Sequence, residues 1–162
     1  MININETERG VNMQKPIRNK LSHTICFSTP KETVFKIFCP VVEREWLSDW
    51  DCNMVYSDSG IAEKNCIFTN KHANMADTVW VCSIYDFTNE VEYIRTTPGY
   101  FVTVINIKTL QTDMETECIV TYTHTALSEL GAHYIANHFT EEHFINQIES
   151  WKDAGNTYLS RF

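Results

Sequence analysis

The chain is poor in glycine and proline, with 5 and 4 in 162 residues. That excludes collagen-like and low-complexity architectures. Long hydrophobic runs are missing too, and none approaches the ~18 apolar residues of a membrane span. The opening MININETERGVNMQK has no apolar stretch of the secretory kind, so residues 1–18 are expected to be a loose leader. Positive charge is scarce: 13 Lys and Arg stand against 21 Asp and Glu, for a net charge of −8. With no Lys/Arg run, neither nucleic acid nor membrane insertion is expected. Cysteines number six, but no two are close enough in sequence to form a CxxC pair. Zinc-ligand spacing is therefore absent, and free thiols in a reducing, cytoplasmic setting are expected. HExxH, GxSxG, the P-loop and GxGxxG are all absent, so no metal, no cofactor and no covalent nucleophile is expected.

What remains is ordinary globular material for one domain, residues 19–162. At 43% hydrophobic it is too apolar to stay disordered. LSHTICF alternates as a strand. Thr29, Pro30 and Glu32 read as the N-cap, first position and capping box of a helix ended by Cys39-Pro40. A short second helix runs from Val41 to about Trp46, with Val42 and Trp46 one turn apart. From Asn53 to Leu127 the period falls to two: NMVYS, CIFTN, DTVWVCSIYD, EVEYIRT, YFVTVINIKTL and ETECIVTYTHTAL, separated by turn signals. The gaps are too short for helical crossovers, so the strands form an antiparallel meander. SELGAHYIANHF fits a short helical turn. Residues 140–160 read as a long helix capped by Thr140, with Phe144, Ile145, Ile148, Trp151 and Leu159 as its stripe and Gly155 marking a close approach.

The fold class is thus α+β: a curved antiparallel sheet of about seven strands, β-α-α-β6-α, wrapped on a long C-terminal helix. Together FSTPKETVFKIFCP, EREWLSDW, VYSDSGIAEKNCIF, DTVWVCSIYD, RTTPG, TYTHTALSE and ESWKDAGNTYL resemble the START-like, Bet v 1-like superfamily, the helix-grip or SRPBCC fold. The resemblance implies a hydrophobic cavity beneath the last helix. Members bind lipids, hormones or polyketides, some are cyclases, and some are Hsp90-activator domains. It selects no subfamily.

Candidate ligand-binding residues follow from the faces that should look into the grip. On the strands these are Trp80, Tyr93, Phe101, Thr103 and Ile105, then Tyr122 and His124. On the last helix they are Phe144, Ile148 and Trp151. Trp46 and Trp50 complete the set at the rim, with Trp50 the pocket-edge residue and Trp46 a wedge. Every one of these aromatics is equally well explained as core. His124 and Glu141 are the catalytic candidates for proton transfer. The plain alternatives are a core histidine satisfied by Tyr122, a threonine or water, and a carboxylate placed at a helix N-terminus. Glu43, Glu45, Asp49 and Asp51 read as a solvated rim. Arg95 anchors an acidic ligand group if its strand points that way, and strand parity leaves that open. His133, His138 and His143 recur every fifth residue, which spreads them around a helix and makes no metal site.

The leading reading is a binding protein for a small hydrophobic or aromatic molecule, lipid- or polyketide-like, in a pocket of more than ~300 Å³. A cofactor-free polyketide cyclase or dehydratase is the first alternative. An Hsp90-activator-like interaction module, with a protein partner or homodimer, is the second.

Overall fold

A computed structural model describes residues 17–72 and 74–162. The expected leader falls outside these residues except for its last two positions. Arg18 already opens the first strand, so the domain begins slightly earlier than the alternation implied.

Seven strands form one antiparallel sheet: β1 (Arg18–Phe27), β2 (Asn53–Tyr56), β3 (Ile67–Asn70), β4 (Thr78–Asp86), β5 (Glu90–Thr97), β6 (Phe101–Gln111) and β7 (Thr116–Ala126). Their spatial order is β1-β7-β6-β5-β4-β3-β2. The meander is thus intact from β2 to β7, and β1 joins at the far edge. On β7, Cys118, Val120, Tyr122 and His124 are buried, and on β6 so are Phe101, Thr103, Ile105 and Ile107. Both faces match the alternation. On β4 and β5, Trp80 and Cys82 and then Val91 and Tyr93 point inward, which carries Arg95 inward with them.

Helix α1 (Lys31–Ile37) starts one residue later than expected. Pro30, not Thr29, is its N-cap, and no side chain of its own caps it. Proline fixes an extended entry, and Gln111 on β6 fills the gap by accepting from the Lys31 N–H at 2.9 Å. The Thr29 carbonyl instead accepts from Thr116 Oγ1 at 2.6 Å. Helix α2 (Pro40–Glu43) is shorter than expected, but Leu47 N–H still donates to the Glu43 carbonyl at 2.8 Å, so the chain stays coiled beyond it. The segment expected to be a helical turn is a full helix, α3 (Glu129–His138), capped by Ser128. Helix α4 (Glu141–Leu159) is capped by Thr140 as the sequence indicated, with Phe144, Ile148, Trp151, Gly155 and Leu159 buried.

Two glycines allow the helices to seat. A Cβ at Gly155 would lie 2.8 Å from a ring carbon of Phe27, so α4 rests its backbone on that ring. A Cβ at Gly131 would lie 1.6 Å from the Tyr100 carbonyl oxygen, so α3 sits directly on the β5–β6 turn. All six cysteines are free thiols. No described helix is long and apolar enough to cross a membrane.

Candidate functional site

Strand register sets the site. One row of paired residues crosses the inner face from Phe68 through Trp80, Arg95, Thr103 and His124 to Asn19. The next row is Cys82 (β4), Tyr93, Ile105, Tyr122 and Leu21. An apolar face is therefore crossed by one line of polar groups with a guanidinium at its centre.

Beneath α4 two cavities open on this line. The first, about 190 Å³, is walled by Glu43, Leu47 and Trp50 on the rim, Trp80, Tyr93, Ile105 and Tyr122 on the sheet, and Trp151 on α4. The second, about 160 Å³, lies toward α3 between Leu21, His124, Phe139, His143 and Phe144. Each alone is below the ~300 Å³ of an ordinary ligand pocket. Arg95, Tyr122 and Gln147 line both, so side chains rather than backbone divide them.

Most anchors of the first cavity have partners. Trp50 donates its indole N–H to the Pro40 carbonyl at 2.8 Å, and Trp80 donates to Asn70 Oδ1 at 2.6 Å. Tyr93 donates its hydroxyl to the Phe38 carbonyl at 3.0 Å. Trp50 meets Trp80 edge-on at 5.6 Å, while Phe68 stacks on Trp80 at 5.3 Å. These bonds fix the rings in place and leave aromatic faces as the wall.

Two buried side-chain atoms among the described residues lack a hydrogen-bond partner, Asn19 Oδ1 and Arg95 Nε, and the Glu43 carboxyl is shifted by its surroundings. Glu43 is half-buried, and loss of water around it pushes its carboxyl up to about 8, so it is protonated at neutral pH. Arg95 Nε is buried without a hydrogen-bond partner, and no carboxylate of a described residue forms an ion pair with the guanidinium. Burial lowers the Arg95 pKa, though an arginine starts high enough to keep its charge. The rings of Trp80, Tyr122, Phe139 and Phe101 surround its Cζ at 5.3 to 6.0 Å. Such faces return part of the cost of burying the ion, which runs to several kcal/mol.

The expected site residues divide. Trp50, Trp80, Tyr93, Ile105, Tyr122 and Trp151 line the first cavity; His124 and Phe144 line the second. Phe101 and Thr103 line neither: Phe101 is packed under Tyr134 and Phe139, and Thr103 bonds to His124. Ile148 is fully buried core. Trp46 faces away, bonded to the Ile37 carbonyl at 3.0 Å and edge-on to Trp151 at 6.5 Å. Glu141 is exposed at the start of α4 and touches neither cavity. Its proton-transfer role is ruled out by position. His124 bonds through Nδ1 to Thr103 Oγ1 at 2.8 Å and stacks on Phe139 at 4.0 Å. Burial, and then the charge of Arg95, lower its pKa to about 3, so it stays neutral and is a poor base near pH 7. It is the core histidine satisfied by a threonine.

Glu43 and Gln147 were missed. The signal for Glu43 was present: Pro40, Glu43, Leu47 and Trp50 recur at helical spacing in the sequence, and all four line the first cavity.

No protein-family model matches the chain, and no curated protein matches it in sequence. Solved structures do match in shape. The chain has a Bet v 1-like, helix-grip fold. Norcoclaurine synthase from Thalictrum flavum aligns at a TM-score of 0.66 and 9% identity, over 100% of this chain and 98% of that one. The hypothetical protein jhp0584 from Helicobacter pylori aligns at 0.69 and 11% identity, over 86% and 87%. Ara h 8.0201 aligns at 0.61 and 11% identity, over 90% and 99%. At these identities the likeness concerns the fold alone.

Proposed function

We propose that this helix-grip protein binds a small aromatic or apolar molecule in the first cavity, beneath α4. The observation that carries it is the wall itself: Trp50, Trp80 and Tyr93 have their polar atoms bonded outward to protein and their rings facing free space. A cavity of ~150 Å³ suffices for one benzene ring, so the first cavity suits one or two fused rings. Swinging Gln147 or Tyr122 aside would join the second cavity and admit a longer molecule. The test is thermal denaturation and tryptophan emission with a panel of one- and two-ring aromatics and short lipids. A true ligand at 100 times its Kd adds about 2.7 kcal/mol, or roughly 5–10 °C for a chain of this size. A panel in which nothing moves either signal counts against binding.

One observation favours an enzyme as a second reading. The neutral Glu43 carboxyl lies in the ligand cavity, where it could give or take a proton. Norcoclaurine synthase, similar in fold, has been solved with a transition-state analogue. Bound panel members should then yield chromatographically distinct products, isomers included, with the wild-type protein and stay unchanged with Glu43→Gln. Binders that all emerge unaltered from the wild type would end this reading.

A further inference from the structure

Arg95 poses a problem that packing does not solve. It stands at the centre of the polar row, on the side-chain partition between the two cavities, and lines both. Its neighbours in the row are spoken for: Trp80 donates to Asn70, and Thr103 bonds to His124. Glu43 opens on the same cavity, yet no ion pair joins it to Arg95. Aromatic faces soften the charge, but they offer none of the strong lone pairs that a guanidinium edge takes from a carbonyl or a carboxylate. The buried Nε, lacking a partner, is part of that edge.

We propose that the ligand of this protein is a small aromatic monoacid, its carboxylate received by Arg95 at the junction of the two cavities and its ring held among Trp50, Trp80, Tyr93 and Trp151. The proposal rests on the ligand-binding reading and deepens it. A carboxylate matches the guanidinium fork in shape and charge. The count of cations argues for a single negative charge. Arg95 is the one Lys or Arg lining either cavity among the described residues, and His124 beside it is held neutral; the other charge-bearing groups on the lining, Asp49 at the first cavity and His143 at the second, are exposed at the mouths. The first turn of α4 reaches the second cavity through the exposed His143 and through Phe144, and lines no part of the first. A dianionic phosphate would be left half-compensated in a low-dielectric interior. At the other wall the neutral Glu43 carboxyl faces the ring end, where it can donate to a hydroxyl or carbonyl on the ligand. An aromatic acid bearing such a group would engage both ends of the first cavity.

The experiment is calorimetric titration of the full chain with matched pairs: benzoate against benzyl alcohol, 4-hydroxybenzoate against 4-hydroxybenzyl alcohol, and 2-naphthoate against 2-naphthalenemethanol. Wild type, Arg95→Met and Arg95→Lys are compared. The acid of at least one pair should bind about 100-fold or more tightly than its alcohol. Arg95→Met should erase that preference, read as the ratio of the acid and alcohol Kd values within the variant. Arg95→Lys, which keeps the charge but loses the fork, should fall between. Acids and alcohols binding alike to the wild type would overturn the proposal and leave the ligand-binding reading standing. Acids preferred equally by wild type and Arg95→Met would overturn it too, by placing the anion elsewhere. Silence from every acid and alcohol would overturn the proposal and the binding reading together. Phenylphosphate binding more tightly than benzoate would overturn the monoacid class.

Discussion

The two ends of the grip contain similar ingredients and treat them oppositely. Toward α3, a histidine, a threonine and aromatic rings close on one another: His124 has Thr103 as its partner and Phe139 as its stack. Toward α2, a carboxyl and a guanidinium share a cavity and leave one another alone. A polar group whose bonds are complete is explained by folding. One whose bonds are incomplete costs stability, and the cost is understandable where something else completes it. Asn19 Oδ1 is the exception toward α3, buried without a partner although its amide donates to the Phe139 carbonyl. On the proposed reading the difference assigns function to the α2 end and the Arg95 junction, though the sequence pointed to His124 first.

This contrast can be broken by substitution. The largest effect is expected from Gly131→Ala, which places a methyl inside the Tyr100 carbonyl and unseats α3. A loss of about 3–5 kcal/mol is expected, read as a fall of roughly 6–20 °C in Tm. His124→Ala comes next. It deletes the Thr103 bond and the Phe139 stack beside the second cavity, for about 2–4 kcal/mol in denaturant unfolding. Arg95→Met should run the other way and raise the stability of the ligand-free protein by about 1–2 kcal/mol, because it removes an uncompensated buried charge. A loss as large as that of His124→Ala would erase the distinction between the two ends.

The pH dependence holds two further effects, comparable in size and opposite in sign. His124 has a folded pKa below its unfolded value, so its unfolded state binds more protons. Stability is full above about 6.5 and falls as pH drops toward about 3. Glu43 has a folded pKa above its unfolded value, so its native state binds more protons. The stability it supports is full below about 4.5 and is lost as pH rises through about 8. Glu43→Gln should therefore stabilise the protein at pH 8 by a few kcal/mol, since a shift from about 4.5 to about 8 is worth roughly 4 kcal/mol there, and change little at pH 4, in urea titrations at the two pH values. Equal shifts at both would mean that Glu43 is ionised in the cavity.

The sheet was legible because each strand carries one dominant period, and β6 and β7 separate large apolar from small polar residues. Strand β5 resisted: EVEYIRT has Glu, Glu and Ile on one face and Val, Tyr and Arg on the other, and a charge on an inner face contradicts the pattern that would identify it. Glu43 was hidden by its company. Beside Arg44 and Glu45 it looks solvated, and no local signal shows that its side chain lines the cavity while theirs do not. The start of α1 was misread because the missing cap comes from Gln111, eighty residues away, where no local signal reaches.

Gly155 acts as a shim set to zero thickness. Phe27 and Ile37 bear on α4 at that point, and the same helix roofs both cavities through Phe144, Gln147 and Trp151. A methyl there would jack one end of the roof off the sheet by a few tenths of an ångström and redraw the space below, although residue 155 touches neither cavity. Gly155→Ala should thus change which ring sizes bind. Unaltered selectivity in a folded Gly155→Ala protein would show that the roof gives elsewhere.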